Sequence, residues 1–273
     1  MNWNELIKDE AWVVEELLLP SEAKYFKERA IELGILNKKS AGDVRHRDSL
    51  TIAFKDTKMA DVLFERIKTY IPQEVVVDEN CDRLGLSYSK NELIGTWKPY
   101  KLNDMWRIVC YDGKGHFGPH RDGCYKIDDH HRSLITINGF LTDRPGGFGG
   151  ATRFLRDDIN IELSENGIFT TAEVDVLHKV EADKAGKASV FFHDLMHDGE
   201  PLKAGSPPKW LFRTEVMYER DPETAPKLSE DQIKARKYLD EAEDAEKKGD
   251  IIGATKLYKM AYRLDSSLDG NPS

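Results

Sequence analysis

The feature that most constrains the fold of this chain is a series of short β-branched and aromatic runs between residues 76 and 220. Gly- and Pro-rich stretches separate these runs, and the stretch at 145–150 reads PGGFGG. Many short strands joined by such turns are typical of an antiparallel sandwich or jelly roll and argue against a parallel α/β sheet. The clearest runs are 107–111, 134–141, 188–192 and 210–218.

The segment that precedes this β region, residues 1–75, favours helices. One helix is predicted to begin with Ser21 as its N-cap and to end at Gly34. A second apolar stripe with helical spacing covers 59–70, and a single strand is predicted at 47–54. These patterns together predict an α+β fold in which N-terminal helices support a β domain.

The C-terminal part of the chain is predicted to be a separate helical unit. A linker at 221–228, which contains two prolines, separates a domain at 1–220 from a helical hairpin at 229–273. Ser229 followed by Gln232 forms a capping box, which is a signature of a helix N-terminus.

The second half of this hairpin, 249–265, resembles a single tetratricopeptide repeat, because small and apolar residues recur there at spacings of three and four. One repeat cannot form a solenoid by itself. Two interpretations therefore stay open. The hairpin packs against the main domain or a second copy of itself, or it recruits a protein partner.

Charge and cysteine usage exclude several classes of protein. The net charge of −9 disfavours nucleic acid as a partner, since proteins that bind duplexes normally carry a basic balance. No run of about 18 apolar residues is present, so no membrane-spanning helix is expected. The first residues lack the basic segment of a secretory signal, and the three cysteines form no CxxC pair. The chain is therefore expected to be cytoplasmic or nuclear and not secreted.

The tripeptide His120-Arg121-Asp122 carries the strongest chemical signal. In an extended segment residues i and i+2 point the same way, so one imidazole and one carboxylate can reach a single ion. A third ligand has to come from elsewhere, and His197, which follows the predicted strand 188–192, is the candidate. Two histidines and one carboxylate leave coordination positions open, as in non-haem Fe(II) oxygenases. An HxD pair alone also occurs in surface turns, so its surroundings matter.

The surroundings of this pair agree with a known family in their order, spacing and flanking glycines. The motifs are Tyr111-x3-Gly115-x-Phe117-x-Pro119-His120-x-Asp122, Gly149-Gly150-Ala151-Thr152-x-Phe154 and His197-x-Gly199-Glu200-Pro201. Over residues 12–220 the chain resembles the Fe(II)- and 2-oxoglutarate-dependent dioxygenases, specifically the prolyl 4-hydroxylase-like catalytic domain. The resemblance implies a double-stranded β-helix, a jelly roll with iron between its sheets. It also implies His120, Asp122 and His197 as iron ligands, 2-oxoglutarate and O₂ as cosubstrates, and ascorbate as a candidate accessory reductant.

The cosubstrate 2-oxoglutarate ends in a carboxylate that needs a cation inside the barrel. The resemblance places this cation on the strand after the second histidine, where Lys209 and Arg213 both occur. Two extra residues between Gly205 and Lys209 leave the register open, so either cation can serve. The hydroxyl of Tyr111 is a further candidate for binding the same carboxylate, and the alternative for Tyr111 is a core aromatic.

Several residues near these motifs have alternative interpretations. His193 would be the ligand if the alignment shifted, and is otherwise expected to be a hydrogen-bonded structural residue. His116 is expected to be exposed beside the entrance, and Cys124 to be a loop residue near the metal. The hydrophilic stretch 126–132, which holds two adjacent histidines, is expected to form a loop over the site. Candidates for the rim of the opening, or for plain packing, are Trp97, Trp106, Tyr125, Phe148 and Arg153.

The activity that the resemblance implies is hydroxylation of an unactivated C–H bond, with conversion of 2-oxoglutarate to succinate and CO₂. Three hypotheses follow: a hydroxylase of a peptidyl residue such as proline, a hydroxylase of a small-molecule metabolite, or a non-catalytic metal-binding or sensor protein on the same scaffold. An open groove would favour the peptide substrate, and a closed pocket would favour the small molecule.

Overall fold

The computed structural model describes residues 1–40, 42–81 and 90–269. The helices are α1 (Pro20–Glu32), α2 (Thr57–Ile67), α3 (Lys90–Leu93), α4 (Glu230–Lys247) and α5 (Ile251–Leu264). The strands are β1 (Asn2–Ile7), β2 (Ala11–Glu15), β3 (Arg47–Asp48), β4 (Leu50–Lys55), β5 (Val75–Val77), β6 (Gly95–Leu102), β7 (Met105–Tyr111), β8 (His116–His120), β9 (Lys126–Asp128), β10 (His131–Phe140), β11 (Thr152–Leu155), β12 (Glu162–Leu163), β13 (Phe169–Thr170), β14 (Val176–Val180), β15 (Ala188–Phe192), β16 (His197–Gly199) and β17 (Lys209–Arg220).

Two antiparallel sheets form the body of the protein. The larger sheet has the order β1-β2-β15-β10-β17-β6-β5, with β7 beside the first half of β17, β4 beyond β7, and β9 beside the start of β10. The smaller sheet has the order β14-β11-β16-β8-β3. The four strand runs predicted from the sequence all lie in the larger sheet, as β7, β10, β15 and β17. This mixed structure of helices and antiparallel sheets is consistent with the predicted jelly-roll-like fold.

The side chains of β7 alternate between two hydrophobic cores, one on each face of the larger sheet. Trp106 and Ile108 belong to the core that the larger sheet shares with α1 and α2. Phe26 of α1 lies in this core, and its ring centroid is 4.5 Å from that of Trp106. Val109 and Tyr111 point to the opposite face, because side chains alternate along a strand, and join the second core. The second core surrounds the cavity described below.

The prediction that residues 1–75 are mainly helical is wrong in part. β1 and β2 form a hairpin that extends the larger sheet, and Val14 of β2 lies opposite Ala188 of β15. Ala11, Trp12 and Val14 are all buried. The segment is rich in β-branched and aromatic residues, which fit a half-buried pleated surface, and this local signal was overlooked beside the helical stripes.

The N-cap of α1 is Leu19 and not the predicted Ser21. Pro20 occupies the first helical position, where its missing N–H does no harm. The Leu19 N–H donates to Oε2 of Glu22 at 2.8 Å, which supplies half of a capping box. The end of this helix is as predicted, because Gly34 follows it with a φ of 85°.

The C-terminal helices α4 and α5 pack against each other as a hairpin. The predicted capping box is confirmed: Ser229 N–H donates to Oε1 of Gln232 at 3.0 Å, and Gln232 N–H donates to Oγ of Ser229 at 3.2 Å. Arg236 of α4 reaches Asp129 in the turn after β9, at 3.3 Å, so the hairpin contacts the part of the chain that carries the larger sheet. In the described ranges, no helix is long and apolar enough to span a membrane.

Candidate metal centre

The three side chains that the sequence singled out lie together where two short strands of the smaller sheet pair. His120 ends β8, and His197 begins β16 directly opposite it, with ring centroids 4.3 Å apart. Asp122 follows two residues after His120 and lies 3.7 Å from Nε2 of each histidine. One ligand atom from each residue lies within 4.8 Å of the other two. This spacing is short enough for all three to share one ion.

Each of the two imidazoles has its Nδ1 hydrogen-bonded to a backbone carbonyl. Nδ1 of His120 donates to the Gly118 carbonyl at 2.8 Å, and Nδ1 of His197 donates to the Leu195 carbonyl at 2.9 Å. This fixes the tautomer and leaves each Nε2 lone pair available, as is usual for metal-ligating histidines. Burial, and after it the neighbouring His197, lowers the pKa of His120 to about 3, so its ring is neutral as a ligand requires.

Asp122 is buried and held ionised by its neighbours. Burial alone would raise the pKa of this carboxyl, but its charged surroundings, above all the Arg213 guanidinium, outweigh burial and hold the pKa well below its usual range. Arg213 lies 3.0 Å from Oδ1, and Thr136 donates its hydroxyl to Oδ2 at 2.7 Å. The carboxylate is therefore charged, fixed in orientation and placed beside both histidines.

His193 lies behind Asp122 and is not part of the cluster. Its Nδ1 is 2.8 Å from Oγ1 of Thr136, and its Nε2 is 2.8 Å from Oγ of Ser133. Since the Thr136 proton goes to Asp122, Nδ1 of His193 donates to Thr136 and Nε2 accepts from Ser133. Burial lowers the pKa of His193 to about 3, so the ring is neutral. This matches the structural role that was one of its two alternatives.

The cluster opens into a cavity of ≈ 60 Å³ between the two sheets. All six residues named from the sequence as metal ligands or cosubstrate ligands line this cavity. The remaining lining residues are Arg47, Arg107, Val109, Phe117, Asn138, Thr152, Asp198, Gly199 and Leu211.

Lys209 lies in the buried part of this cavity. Its Nζ donates to the Gly150 carbonyl at 2.9 Å and sits 4.4 Å from the ring centroid of Tyr111. Within the described part of the chain, Nζ forms an ion pair with no carboxylate. Burial, and after it the nearby Arg144, lowers the pKa of Lys209 to about 7. A carboxylate ligand would supply the counter-charge that this ammonium lacks.

Arg213 lies four residues further along β17 and is partly exposed, at 20%. Its guanidinium contacts Asp122 at 3.0 Å and Glu215 at 3.5 Å. The two candidate cations therefore differ in surroundings: Lys209 has no acidic partner among the described residues, whereas Arg213 already has two.

Tyr111, the third candidate for the cosubstrate carboxylate, is both buried and cavity-lining. Its ring supports the Lys209 ammonium, and burial raises the pKa of its phenol. Among the described residues, its hydroxyl has no hydrogen-bond partner. The residue is thus a core aromatic whose polar end faces the cavity.

Several predictions about the surroundings need correction. His116 is buried, at 3% exposure, because β3 covers β8 and the His116 ring hydrogen-bonds to the Arg45 carbonyl. The stretch 126–132 does not contribute to the lining of the cavity. Cys124 lies in the loop between β8 and β9, as predicted, and does not line the cavity either. Part of that stretch pairs as β9 with β10 at the edge of the larger sheet.

The rim candidates mostly pack elsewhere. Trp97 and Trp106 are fully buried in the first core, and Arg153 donates two hydrogen bonds to buried Asp198. Tyr125 is exposed at 46%, and neither it nor Phe148 lines the cavity. Plain packing, the alternative for these residues, describes the two tryptophans.

The polar cavity residues that the sequence did not assign to the site include Arg47, Arg107 and Asn138. Arg107 shares a strand face with Val109 and Tyr111, and the alternation of β7 would have placed it there. Asn138 and Arg47 reach the cavity through the pairing of β10 with β17 and of β3 with β8, and no local sequence pattern predicts these pairings.

Comparison with known proteins finds similarity only among solved structures, since no family model and no curated protein matches the sequence. A viral collagen prolyl hydroxylase from Paramecium Bursaria Chlorella virus-1 is 16% identical, with 77% of this chain and 96% of that chain covered and a TM-score of 0.41. A Trichoplax adhaerens prolyl hydroxylase in complex with a hypoxia inducible factor peptide fragment is 13% identical, with 81% and 89% covered and a TM-score of 0.48.

A third similar structure is the non-heme α-ketoglutarate-dependent epimerase SnoN from nogalamycin biosynthesis, 13% identical, with 78% of each chain covered and a TM-score of 0.42. Two of these three proteins are prolyl hydroxylases, and the third is an epimerase. The activity proposed below therefore rests on the residues of this chain.

Proposed function

We propose that this protein is an Fe(II)- and 2-oxoglutarate-dependent oxygenase built on a double-stranded β-helix. The observation that carries the proposal is the pairing of two features in one cavity. One is a cluster of two imidazoles, each with its Nδ1 engaged by a backbone carbonyl, and one ionised carboxylate. The other is a buried ammonium without an acidic partner among the described residues. This is the combination that a chelated ferrous ion and a dicarboxylate cosubstrate need.

The donor set of the cluster fits a ferrous ion. His120 and His197 would offer Nε2, because their Nδ1 atoms are engaged by backbone carbonyls, and Asp122 would offer one carboxylate oxygen. Imidazole nitrogen and carboxylate oxygen suit Fe(II), and three protein ligands leave room for exogenous ligands. When bound, the iron supplies the oxidising chemistry, with O₂ as oxidant and 2-oxoglutarate as the electron source that becomes succinate and CO₂.

Lys209, rather than Arg213, is proposed to bind the distal carboxylate of 2-oxoglutarate. Its ammonium is buried and supported by the Tyr111 ring. Arg213 instead holds Asp122 at 3.0 Å, where it neutralises and orients that carboxylate. Tyr111, the register partner of Lys209, and Leu211 supply apolar surface to the same cavity, and such surface strengthens the charge pairing by excluding water.

The reaction is proposed to be hydroxylation of a C–H bond, with a peptidyl residue such as proline as the substrate that the sequence resemblance implies and a small-molecule metabolite as the alternative. The α4–α5 hairpin, which we interpret as a tetratricopeptide-like unit appended to the domain at 1–220, is a candidate surface for a protein partner. We place the protein inside the cell, where its three free cysteines would stay reduced.

The proposal is tested by succinate release from 2-oxoglutarate after Fe(II) is added anaerobically and O₂ is then admitted. The wild-type protein should form succinate, at least slowly, without a second substrate. Asp122→Ala should abolish this turnover, whereas Asp128→Ala, which removes an exposed carboxylate outside the cavity, should keep it. Undiminished turnover in Asp122→Ala would contradict the proposal.

A further inference from the structure

The cavity of the candidate metal centre is cationic, although the protein as a whole carries a net charge of −9. Its lining includes one other carboxylate besides Asp122, that of Asp198, and two hydrogen bonds from Arg153 neutralise it. The cationic side chains that line the cavity are Arg47, Arg107, Lys209 and Arg213.

Two of these cations lie directly opposite each other on neighbouring strands. Arg107 of β7 is the register partner of Arg213 of β17. Like charges in this position repel each other, and the buried carboxylate of Glu215 lies close to both, at 2.6 Å from Arg107 and 3.5 Å from Arg213. Arg107 keeps 39% of its side chain exposed. One carboxylate therefore serves two guanidinium groups.

Arg47 has only neutral partners. Its Nε donates to Oγ of Ser49 at 2.8 Å, and one terminal nitrogen donates to Oγ1 of Thr51 at 3.1 Å. Its guanidinium carbon lies 4.6 Å from the ring centroid of Phe117, and that ring stacks on His120 at 3.6 Å. Within the described ranges, no carboxylate forms an ion pair with Arg47. The guanidinium is thus held in place close to the metal centre, and among the described residues its other terminal nitrogen donates no hydrogen bond.

The charge balance of the cavity remains positive when the proposed reagents are bound. Asp122 and Glu215 offset two of the four cations, so two positive charges are in excess. A divalent iron and a dianionic 2-oxoglutarate cancel each other, and the excess is unchanged. An excess of positive charge in a partly buried cavity attracts anions. Arginine is suited to bind an oxyanion there, because its guanidinium donates paired hydrogen bonds.

We infer that the substrate of this oxygenase carries an oxyanion, a carboxylate or a phosphate, which binds Arg47 with Arg107 nearby at the mouth of the cavity. The inference rests on the proposed function and specifies its substrate class. The oxyanion holds the substrate by a group other than the one that reacts, and so sets which carbon faces the metal centre. A neutral prolyl side chain alone would leave Arg47 without a counter-charge among the described residues, since Glu215 pairs with Arg107 and not with Arg47.

The direct test is a titration with sodium sulfate at constant ionic strength, followed by backbone amide NMR of the protein saturated with Zn(II) and 2-oxoglutarate. Saturable shifts are expected at residues 47–51 and at Phe117, and Arg47→Met should abolish them. Arg45→Met is the matched control. Arg45 lies two residues before Arg47, and its exposed side chain pairs with Asp43, so this variant removes the same charge outside the cavity. Arg47→Lys, which keeps the charge, should retain weakened sulfate binding.

Shifts in the wild type that only track ionic strength, or that persist unchanged in Arg47→Met, would overturn the inference. A failure of the proposed function gives a different result, namely no 2-oxoglutarate binding and no succinate release in any variant, whatever sulfate does. Retained 2-oxoglutarate binding in Arg47→Met shows that the variant is folded.

A panel of candidate substrates, each compared with a matched uncharged analogue, identifies which kind of molecule carries the oxyanion. The panel pairs glutamate- with glutamine-containing peptides, free amino acids with their amides, and phosphorylated peptides with their unphosphorylated forms. Wild-type turnover above the substrate-free rate should favour the acid by about tenfold or more, and Arg47→Met should bring the ratio near one. A carboxamide that is turned over as fast as its acid would contradict the inference.

Discussion

Thr136 donates its hydroxyl proton to Oδ2 of Asp122 at 2.7 Å, and both side chains are buried. This hydrogen bond is one end of a relay that continues through His193 to Ser133, with 2.8 Å at each step. The relay fixes one carboxylate oxygen from behind. Asp122 is thereby held in the orientation in which it faces both histidines.

Replacing Thr136 by Val should weaken metal binding. The substitution keeps the shape of the side chain but removes the donor to Asp122 and leaves Nδ1–H of His193 without its acceptor. Supporting hydrogen bonds of this kind are worth about 10- to 100-fold in metal affinity. The measurement is the dissociation constant for Mn(II), with Thr136→Ser expected to restore it.

The matched control for this prediction is Thr214→Val. The Thr214 hydroxyl is equally buried and donates to the Asn103 carbonyl at 2.7 Å, so this variant also loses a buried hydrogen bond. It should lose stability and keep its metal affinity. Equal weakening of Mn(II) binding in both valine variants would mean that Thr136 has only a structural role.

The affinity for 2-oxoglutarate should fall as pH rises above about 7. Lys209 has a pKa near 7 because it is buried, and only its protonated form pairs with a carboxylate. Binding of 2-oxoglutarate raises the pKa of Lys209, so above pH 7 the complex takes up a proton when it forms. The affinity for 2-oxoglutarate therefore falls as the pH increases further. Calorimetry of the Mn(II)-loaded protein in buffers of different ionisation enthalpy measures both effects.

Lys209→Arg serves as the control for this pH dependence, because a guanidinium stays charged throughout the range. If this variant binds 2-oxoglutarate, its affinity should be nearly constant between pH 7 and 9. A wild-type affinity that does not change over this range would remove Lys209 from the proposed role.

Lys209→Met should stabilise the protein while abolishing 2-oxoglutarate binding. The folded state lowers the pKa of Lys209 from 10.5 to about 7, so below pH 7 the buried charge costs stability, by roughly 3–6 kcal/mol. Between pH 7 and 10.5 the unfolded chain binds the extra proton, so wild-type stability rises with pH and the advantage of Lys209→Met shrinks. Urea unfolding at pH 6.5 and 9 tests both parts, and a destabilised variant at pH 6.5 would refute them.

Arg153→Met should be strongly destabilising, by about 3–5 kcal/mol, because it leaves the buried Asp198 without its partner. The double variant Arg153→Met/Asp198→Leu removes both charges and should recover most of this loss. The free energy of unfolding in urea is the measurement. A double variant no more stable than Arg153→Met would show that the pair itself, and not an unpaired charge, sets the stability.

The sequence predicted best where the chemistry is local. His120 and Asp122 could be paired from i and i+2 spacing, and the strands at 107–111 and 188–192 from their composition. His197 could be proposed as the third ligand from its position after the predicted strand 188–192, and the family motif around it favoured it over His193. Its place opposite His120 comes from the pairing of β8 with β16, which no local pattern encodes.

What the sequence did not predict depends on strand pairing over long separations. Residue type alone could not decide whether Lys209 or Arg213 is the better candidate for binding the cosubstrate carboxylate. The proposal of Lys209 depends on which of the two cations already has an acidic neighbour in the folded chain. Arg47 reaches the cavity through the pairing of β3 with β8, about 70 residues away in the chain. Likewise, the β1–β2 hairpin could be recognised as an extension of the sheet only through its register with β15.

The central claim, that His120, Asp122 and His197 hold one divalent ion beside 2-oxoglutarate, is tested most directly by electron paramagnetic resonance titration with Mn(II). We expect one Mn(II) to bind per chain, and to bind more tightly when 2-oxoglutarate is present. Binding should be lost in His120→Ala, Asp122→Ala and His197→Ala. Mn(II) that stays free with the wild-type protein, or binds equally well to all three variants, would contradict this claim.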